Sequence, residues 1–221
     1  MALHKIQEEL QQIAEAIMSV TSLDVTIMDN NLKRIAGTGD YRKLVGNFAP
    51  RNSVFEKCII TGQQYVIVEP RTCVECQDCS GKHTCTEEAE VCYPIKGDGK
   101  VEGIIGMIAF NSEQKRAFLK NQQNYMNFVS RMSNLISSRN REQILHEELQ
   151  HKSIELRTII DSVDEGIIAI DENRKILCIN EWAKKILGLR NKDLTGKNLD
   201  NLLPENSVTK VLKTNKEIKE Q

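Results

Sequence analysis

The stretch Val25-Thr-Ile-Met-Asp29-Asn-Asn-Leu-Lys-Arg-Ile-Ala36 returns in design as Gly166-Ile-Ile-Ala-Ile-Asp171-Glu-Asn-Arg-Lys175-Ile-Leu-Cys-Ile179. Each is a run of strand-forming residues, a turn built on Asp and Asn, and a second run, which is the pattern of an antiparallel hairpin. Two such hairpins so far apart in a chain of 221 residues predict two modest domains of α+β type, each able to bury its own core.

Outward from the first hairpin, Leu3, Ile6, Leu10, Ile13 and Ile17 alternate spacings of three and four and predict an amphipathic helix. Ser53-Val-Phe-Glu56 has the capping-box pattern, so a short helix carrying Cys58 is expected to start there and to end at Gly62. A strand is expected over 65–68. Cys92 to Ile95, the turn Gly97-Asp-Gly-Lys100 and the apolar run Val101 to Phe110 read as a central hairpin.

From Glu113 to Ser162 there is neither proline nor glycine, which predicts one long helix or two nearly continuous ones after a Ser112 cap. Leu145, Leu149, Lys152, Leu156, Ile159 and Val163 follow the four-three spacing of a coiled-coil seam. The expected organisation is therefore a first α+β domain over 1–140, a helical linker over 141–163 and a second α+β domain over 164–221. In the last, helices are expected at Glu181 to Leu187 and Ser207 to Leu212, with loops holding Gly196 and Pro204 and a polar tail from Lys213 to Gln221. With no further strand to complete its sheet, this domain reads as incomplete.

Charge and hydropathy exclude several classes. The 30 Lys and Arg residues balance 31 Asp and Glu, so no global field holds nucleic acid or an anionic membrane. Apolar runs such as Ile104 to Phe110 fall well short of the roughly 20 residues of a membrane span. The amino terminus lacks the apolar core of a signal peptide, so a soluble, cytoplasmic location is expected. There is no phosphate loop of the G-x-x-x-x-G-K type, no G-x-G-x-x-G after a strand and no H-E-x-x-H, and paired acid and base residues for an enzyme do not assemble.

The chemistry concentrates in a loop expected over 69–95. Cys73-Val-Glu-Cys76-Gln-Asp-Cys79-Ser-Gly-Lys-His-Thr-Cys85 and then Cys92 place five of the seven cysteines in a segment with little apolar periodicity. In a reducing compartment clustered thiols point to metal or redox chemistry more than to disulfides. One ion or cluster bound by several thiolates can replace a missing core. An iron-sulfur cluster is the first expectation and zinc the second, because a zinc site would show two separated C-x2-C knuckles whereas these pairs overlap. A metal-free thiol switch stays open beside both. His83 reads as an exposed loop residue, Cys58 and Cys178 as small core residues, and the Gly37-Thr-Gly39 segment as a flexible loop. Six acidic residues against Arg71 and Lys82 make the segment a poor nucleic-acid surface.

Ser162-Val-Asp-Glu-Gly166-Ile-Ile-Ala-Ile-Asp171, Ile179-Asn-Glu-Trp-Ala183 and Leu194-Thr-Gly-Lys197 resemble the first half of a PAS domain. Val25-Thr-Ile-Met-Asp29, Cys76-x2-Cys79, Cys85 and Ala89-Glu-Val-Cys92-Tyr-Pro94-Ile resemble the GAF-type amino-terminal sensory region of sigma-54-dependent transcriptional regulators from anaerobic bacteria. That resemblance implies an antiparallel GAF-like sheet with flanking helices, and Cys76, Cys79, Cys85 and Cys92 as ligands of a cluster of four irons and four sulfides. Cys73 stands outside the pattern as an alternative ligand. It also implies a homodimer through the linker helix, and an AAA+ ATPase and a helix-turn-helix DNA-binding domain downstream, with no enzymatic activity in the sensory region itself. The function so implied is sensing of redox state, a gas or a metabolite, relayed through the helix to PAS. The input region of a sensor histidine kinase, or a zinc-stabilised small-molecule-binding module, is the alternative.

Overall fold

The computed structural model describes residues 3–189 and 194–199. The helix expected at Ser207 to Leu212, the Pro204 loop and the lysine-rich tail lie outside the described residues. The chain divides into two compact units, Met1–Glu147 and Glu148–Gln221.

In the first unit a 3-10 turn over Leu3–Ile6 runs into α1, Gln7–Thr21. Leu3, Ile6, Leu10 and Ile17 are buried, as their spacing demands. Ser22 closes the helix in the left-handed conformation, its N–H bonding back to the Met18 carbonyl. β1, Asp24–Asp29, then pairs antiparallel with β2, Arg34–Gly37. The turn between them works as its sequence suggests. Asp29 Oδ1 accepts from the N–H of Asn31 and of Lys33, both at 2.9 Å.

Next comes α2, Val54–Thr61, with Ser53 Oγ accepting from Glu56 N–H and Gly62 as a left-handed cap. The capping box is altered at one end: the Glu56 carboxylate takes the N–H of Asn52 instead of Ser53. β3 spans Tyr65–Ile67, β4 Ala89–Gly97 and β5 Lys100–Ala109. The sheet has the order β2-β1-β5-β4-β3 and every pairing is antiparallel.

β4 begins earlier than the sequence suggests, at Ala89, so the irregular segment ends at residue 88 and Cys92 lies mid-strand. Alternation then sorts the sheet into two faces. Val25, Ile27, Val91, Ile105 and Met107 pack against α1 and against two further helices, α3, Ser112–Lys120, and α4, Gln122–Ser162. Phe118, Val129 and Ile136, all fully buried, are the contacts these helices supply. On the opposite face Met28, Ile104, Ile108 and Cys92 pack under α2 and the cysteine segment.

α3 and α4 are the two nearly continuous helices expected, broken at Asn121. Val129, Ser133, Ile136 and Asn140 are the buried residues of α4. Leu145, Leu149, Leu156 and Ile159 are exposed. From Asn140 to Leu145 the five residues turn the helix by roughly 140°, so the exposed seam is a different stripe from the buried one.

The second unit opens with the carboxy-terminal part of α4. It holds the hairpin β6, Ile168–Ile170, and β7, Ile176–Ile179, followed by α5, Glu181–Ile186. Asp171 Oδ1 accepts from Asn173 N–H at 2.9 Å and Lys175 N–H at 2.8 Å, the same turn as at Asp29. Asn180 caps α5 and is 1% exposed. Ile176, Leu194 and Leu199 make the unit's buried cluster. No helix among the described residues is long and apolar enough to cross a membrane.

Candidate functional site: a cavity roofed by the cysteine segment

The cysteine segment is held together by turns of one kind. Cys76 N–H bonds to the Cys73 carbonyl at 3.2 Å, Cys79 N–H to Cys76 at 3.2 Å, Lys82 N–H to Cys79 at 3.1 Å and Cys85 N–H to Lys82 at 3.4 Å. Each bond spans three residues, and two of the turns of this ribbon are single turns of 3-10 helix, Val74–Cys76 and Lys82–Thr84. The spacing of Cys73, Cys76, Cys79 and Cys85 in multiples of three is thus matched to the backbone that carries them. Two contacts tie the ribbon to the domain and a third closes it on itself. Lys57 Nζ donates to the Glu75 carbonyl at 2.6 Å, Ser80 N–H to the Arg51 carbonyl at 3.0 Å, and Arg71 reaches across to the Cys85 carbonyl at 3.2 Å.

Beneath the ribbon lies a cavity of about 340 Å³, between it, α2 and the sheet. Cys76, Cys79 and Cys85 line it from above. From below it is lined by Arg34, Tyr41, Phe55, Phe110 and Glu90, while Leu44 and Phe48 combine lining positions with solvent exposure. Cys92 is fully buried on β4 in the same cluster as Cys58 of α2, and burial together with the neighbouring Cys58 thiol pushes its own thiol well up. Cys76 is paired with Cys73 through its backbone bond, and the Cys73 thiol lies close enough to add to the upward push that burial exerts on Cys76. Cys85 Sγ contacts Glu87 Oε2 at 3.7 Å. The structure therefore gathers three of the four expected ligands at one cavity and sets the fourth in an adjoining thiol pair. Among the described residues no three His, Cys, Asp or Glu side chains stand together in a geometry that holds a metal ion. His83 is exposed, as read from its loop.

Sequence reasoning missed the charged groups under the ribbon. Arg34 is 3% exposed, its Nε donating to Thr26 Oγ1 at 2.7 Å and its guanidinium lying 4.2 Å from the Tyr41 ring centre. Tyr41 OH donates to the Glu87 carboxylate. Glu90 is 2% exposed, and its Oε2 has no hydrogen-bond partner. Burial, reinforced by the charge of Glu87, pushes the Glu90 carboxyl well up. Burial pushes the Cys76 thiol up to about 12 and the Cys85 thiol to about 11. A metal drawing on these thiols has to expel their protons, which a divalent or cluster iron does by direct bonding. So many ionisable groups in an apolar layer cost folding free energy, and such concentrations mark functional sites.

Comparison with known proteins agrees with this anatomy. The family model for the PAS fold matches residues 154–221. UacR of Escherichia coli (strain K12), a sigma-54-dependent transcriptional regulator whose name assigns it to uric acid, is 29% identical over 198 residues. That alignment takes in 88% of this chain and 33% of the regulator. A sensor kinase of Halalkalibacterium halodurans named for C4-dicarboxylates is 30% identical over 70 residues, 32% of this chain and 13% of the kinase. The chain thus spans about a third of the length of the regulator it matches. Among solved structures, the E. coli DhaR(N)-DhaL complex superposes with a TM-score of 0.57 at 18% identity, over 97% of this chain and 73% of that one. The A. aeolicus nlh2 GAF domain does so with a TM-score of 0.44 at 18% identity, over 62% and 89%. With its five-stranded antiparallel sheet, long helix and PAS-fold segment, the chain is similar over most of its length to part of a sigma-54-dependent transcriptional regulator, and its carboxy-terminal segment matches the PAS fold.

Proposed function

We propose that the GAF-like domain is the sensor of this region, and that its cysteine ribbon ligates an iron-sulfur cluster through Cys76, Cys79, Cys85 and Cys92, with zinc as the alternative metal. The observation that carries the reading is the ribbon itself, whose three-residue turns present Cys76, Cys79 and Cys85 to one cavity. Ligation by all four requires the ribbon to draw in toward Cys92 on β4, which gives the signal a mechanical form. Loss or change of the metal releases the ribbon from the sheet. In the whole protein an AAA+ ATPase and a DNA-binding domain would follow and turn that release into transcription control. The relative's name makes uric acid the first metabolite to test as a signal. Iron, zinc and acid-labile sulfide are to be determined on chain purified without oxygen. Iron with matching sulfide, or zinc with none, is expected, and a chain holding neither overturns the ligation.

The relay calls for a dimer, and α4 has the surface for one. Leu145, Leu149, Leu156 and Ile159 are all about half or more exposed, at the spacing of a seam between two copies of the same helix. Lys152 on that seam weakens it and fixes its register. Light scattering of the chain at high micromolar concentration is expected to give a dimer, and Leu149→Asp with Leu156→Asp to give a monomer. A monomeric parent chain contradicts the relay.

A further inference from the structure

We propose that the floor of the cavity is a site for a small, flat, uncharged molecule that carries carbonyl groups beside N–H groups, a cyclic imide or related heterocycle, held by Arg34 and Glu90. The proposal deepens the sensing role given above to the GAF-like domain, but it needs no metal. Both side chains are more than nine-tenths buried and both line the same cavity. Arg34 uses Nε on Thr26 and has no carboxylate in salt-bridge contact among the described residues, so its terminal amino groups remain as donors to an acceptor. Glu90 Oε2 is buried with no partner, and an orphaned buried oxygen costs about 1–3 kcal/mol until something donates to it. An N–H of the bound molecule does that.

Charge selects the class. Arg71, Lys82 and Asp40 also line the cavity, but at its floor the Arg34 guanidinium stands with two carboxyl groups, Glu87 and Glu90, so a dicarboxylate or a phosphate seated there would bring its oxygens against carboxyl oxygens. A simple cation would leave the Arg34 donors unmet and be repelled by them. A neutral molecule offering both an acceptor edge and a donor edge satisfies both residues at once. Shape follows from the walls. Tyr41 and Phe110 meet edge to face with ring centres 5.4 Å apart, and Phe55 packs nearby, which gives a flat molecule aromatic surface to lie against. Gly106 contributes by its lack of a side chain, because a Cβ there would stand 3.1 Å from the Phe55 ring.

The test is calorimetric titration of the whole chain with uracil and xanthine, with succinate and inorganic phosphate as the charged arms, and metal content read on the same samples. One-to-one binding of a cyclic imide, and at least tenfold weaker binding by Glu90→Gln and by Arg34→Lys, are expected. Both variants are expected to unfold at or near the parent temperature, since each keeps the volume of the side chain it replaces. Absence of binding by both imides at millimolar concentration, or preference for succinate or phosphate, overturns the proposal. Imide binding by a metal-free parent chain upholds this site and sinks the ligation, while a metallated chain blind to imides does the reverse.

Discussion

Single replacement of Cys76, Cys79, Cys85 or Cys92 by serine is expected to strip most of the bound metal, whereas Cys73→Ser and Cys178→Ser leave it in place. A thiolate ligand provides both a bond and the charge that offsets the metal, and even partners one step further out are worth roughly ten- to a hundredfold in affinity. A direct ligand is worth more, so metal content per chain should fall close to zero in each of the four. Cys73 is the informative control. It belongs to the same ribbon and its carbonyl accepts from Cys76 N–H, yet it does not line the cavity. Cys178 lies on β7 in the other unit and reports on nonspecific loading. Retention of full metal by all four variants would leave the thiol pairs Cys58 with Cys92 and Cys73 with Cys76 as the working groups, and oxidation to disulfide as the chemistry to pursue.

In the second unit the largest effect is expected from Asn180→Ala. The amide oxygen accepts from Ile167 N–H and from Ala183 N–H, both at 2.9 Å, and the amide nitrogen donates to the Ile160 carbonyl at 3.1 Å and the Glu165 carbonyl at 2.8 Å. One side chain thus joins the end of α4, the entry to β6 and the start of α5. Alanine removes the helix cap, worth about 1 kcal/mol, and leaves buried backbone groups without partners at about 1–3 kcal/mol. A loss of about 3 kcal/mol is expected. Trp182 is the sole tryptophan and sits in α5, so denaturant unfolding followed by its fluorescence reads this unit alone. An unchanged midpoint would show that the bonds of Asn180 are dispensable.

The two hairpins were legible because their turn chemistry is local: an aspartate at the end of a strand captures the N–H groups two and four residues on, whatever packs above it. The long helices were legible from the lack of proline and glycine. The start of β4 was not, because Glu87-Glu88-Ala89-Glu90 reads as polar and its alternation with Val91 shows only once Glu90 is known to be buried. Arg34 and Glu90 were missed for the same reason. A charged residue in a strand ordinarily marks the solvent face, and nothing in its neighbours reveals that α2 and the ribbon cover that face instead. The cysteines were found by their density, but Cys58 was placed only as a core residue. Helical periodicity gives the face a residue occupies and not the thiol of Cys92 across the layer. The regular three-residue interval of Cys73, Cys76 and Cys79, resumed at Cys85, was the unread signal for the ribbon.

The claim that a metal ties the ribbon to the sheet is tested most directly by amide hydrogen exchange on the whole chain, metallated and after chelator treatment, read on peptides covering 69–88. Metal loading is expected to slow exchange across that segment and to leave the interior of β1 and β5 unchanged, since those strands are held by the sheet in either state. Exchange in 69–88 that is the same with and without metal would contradict the account.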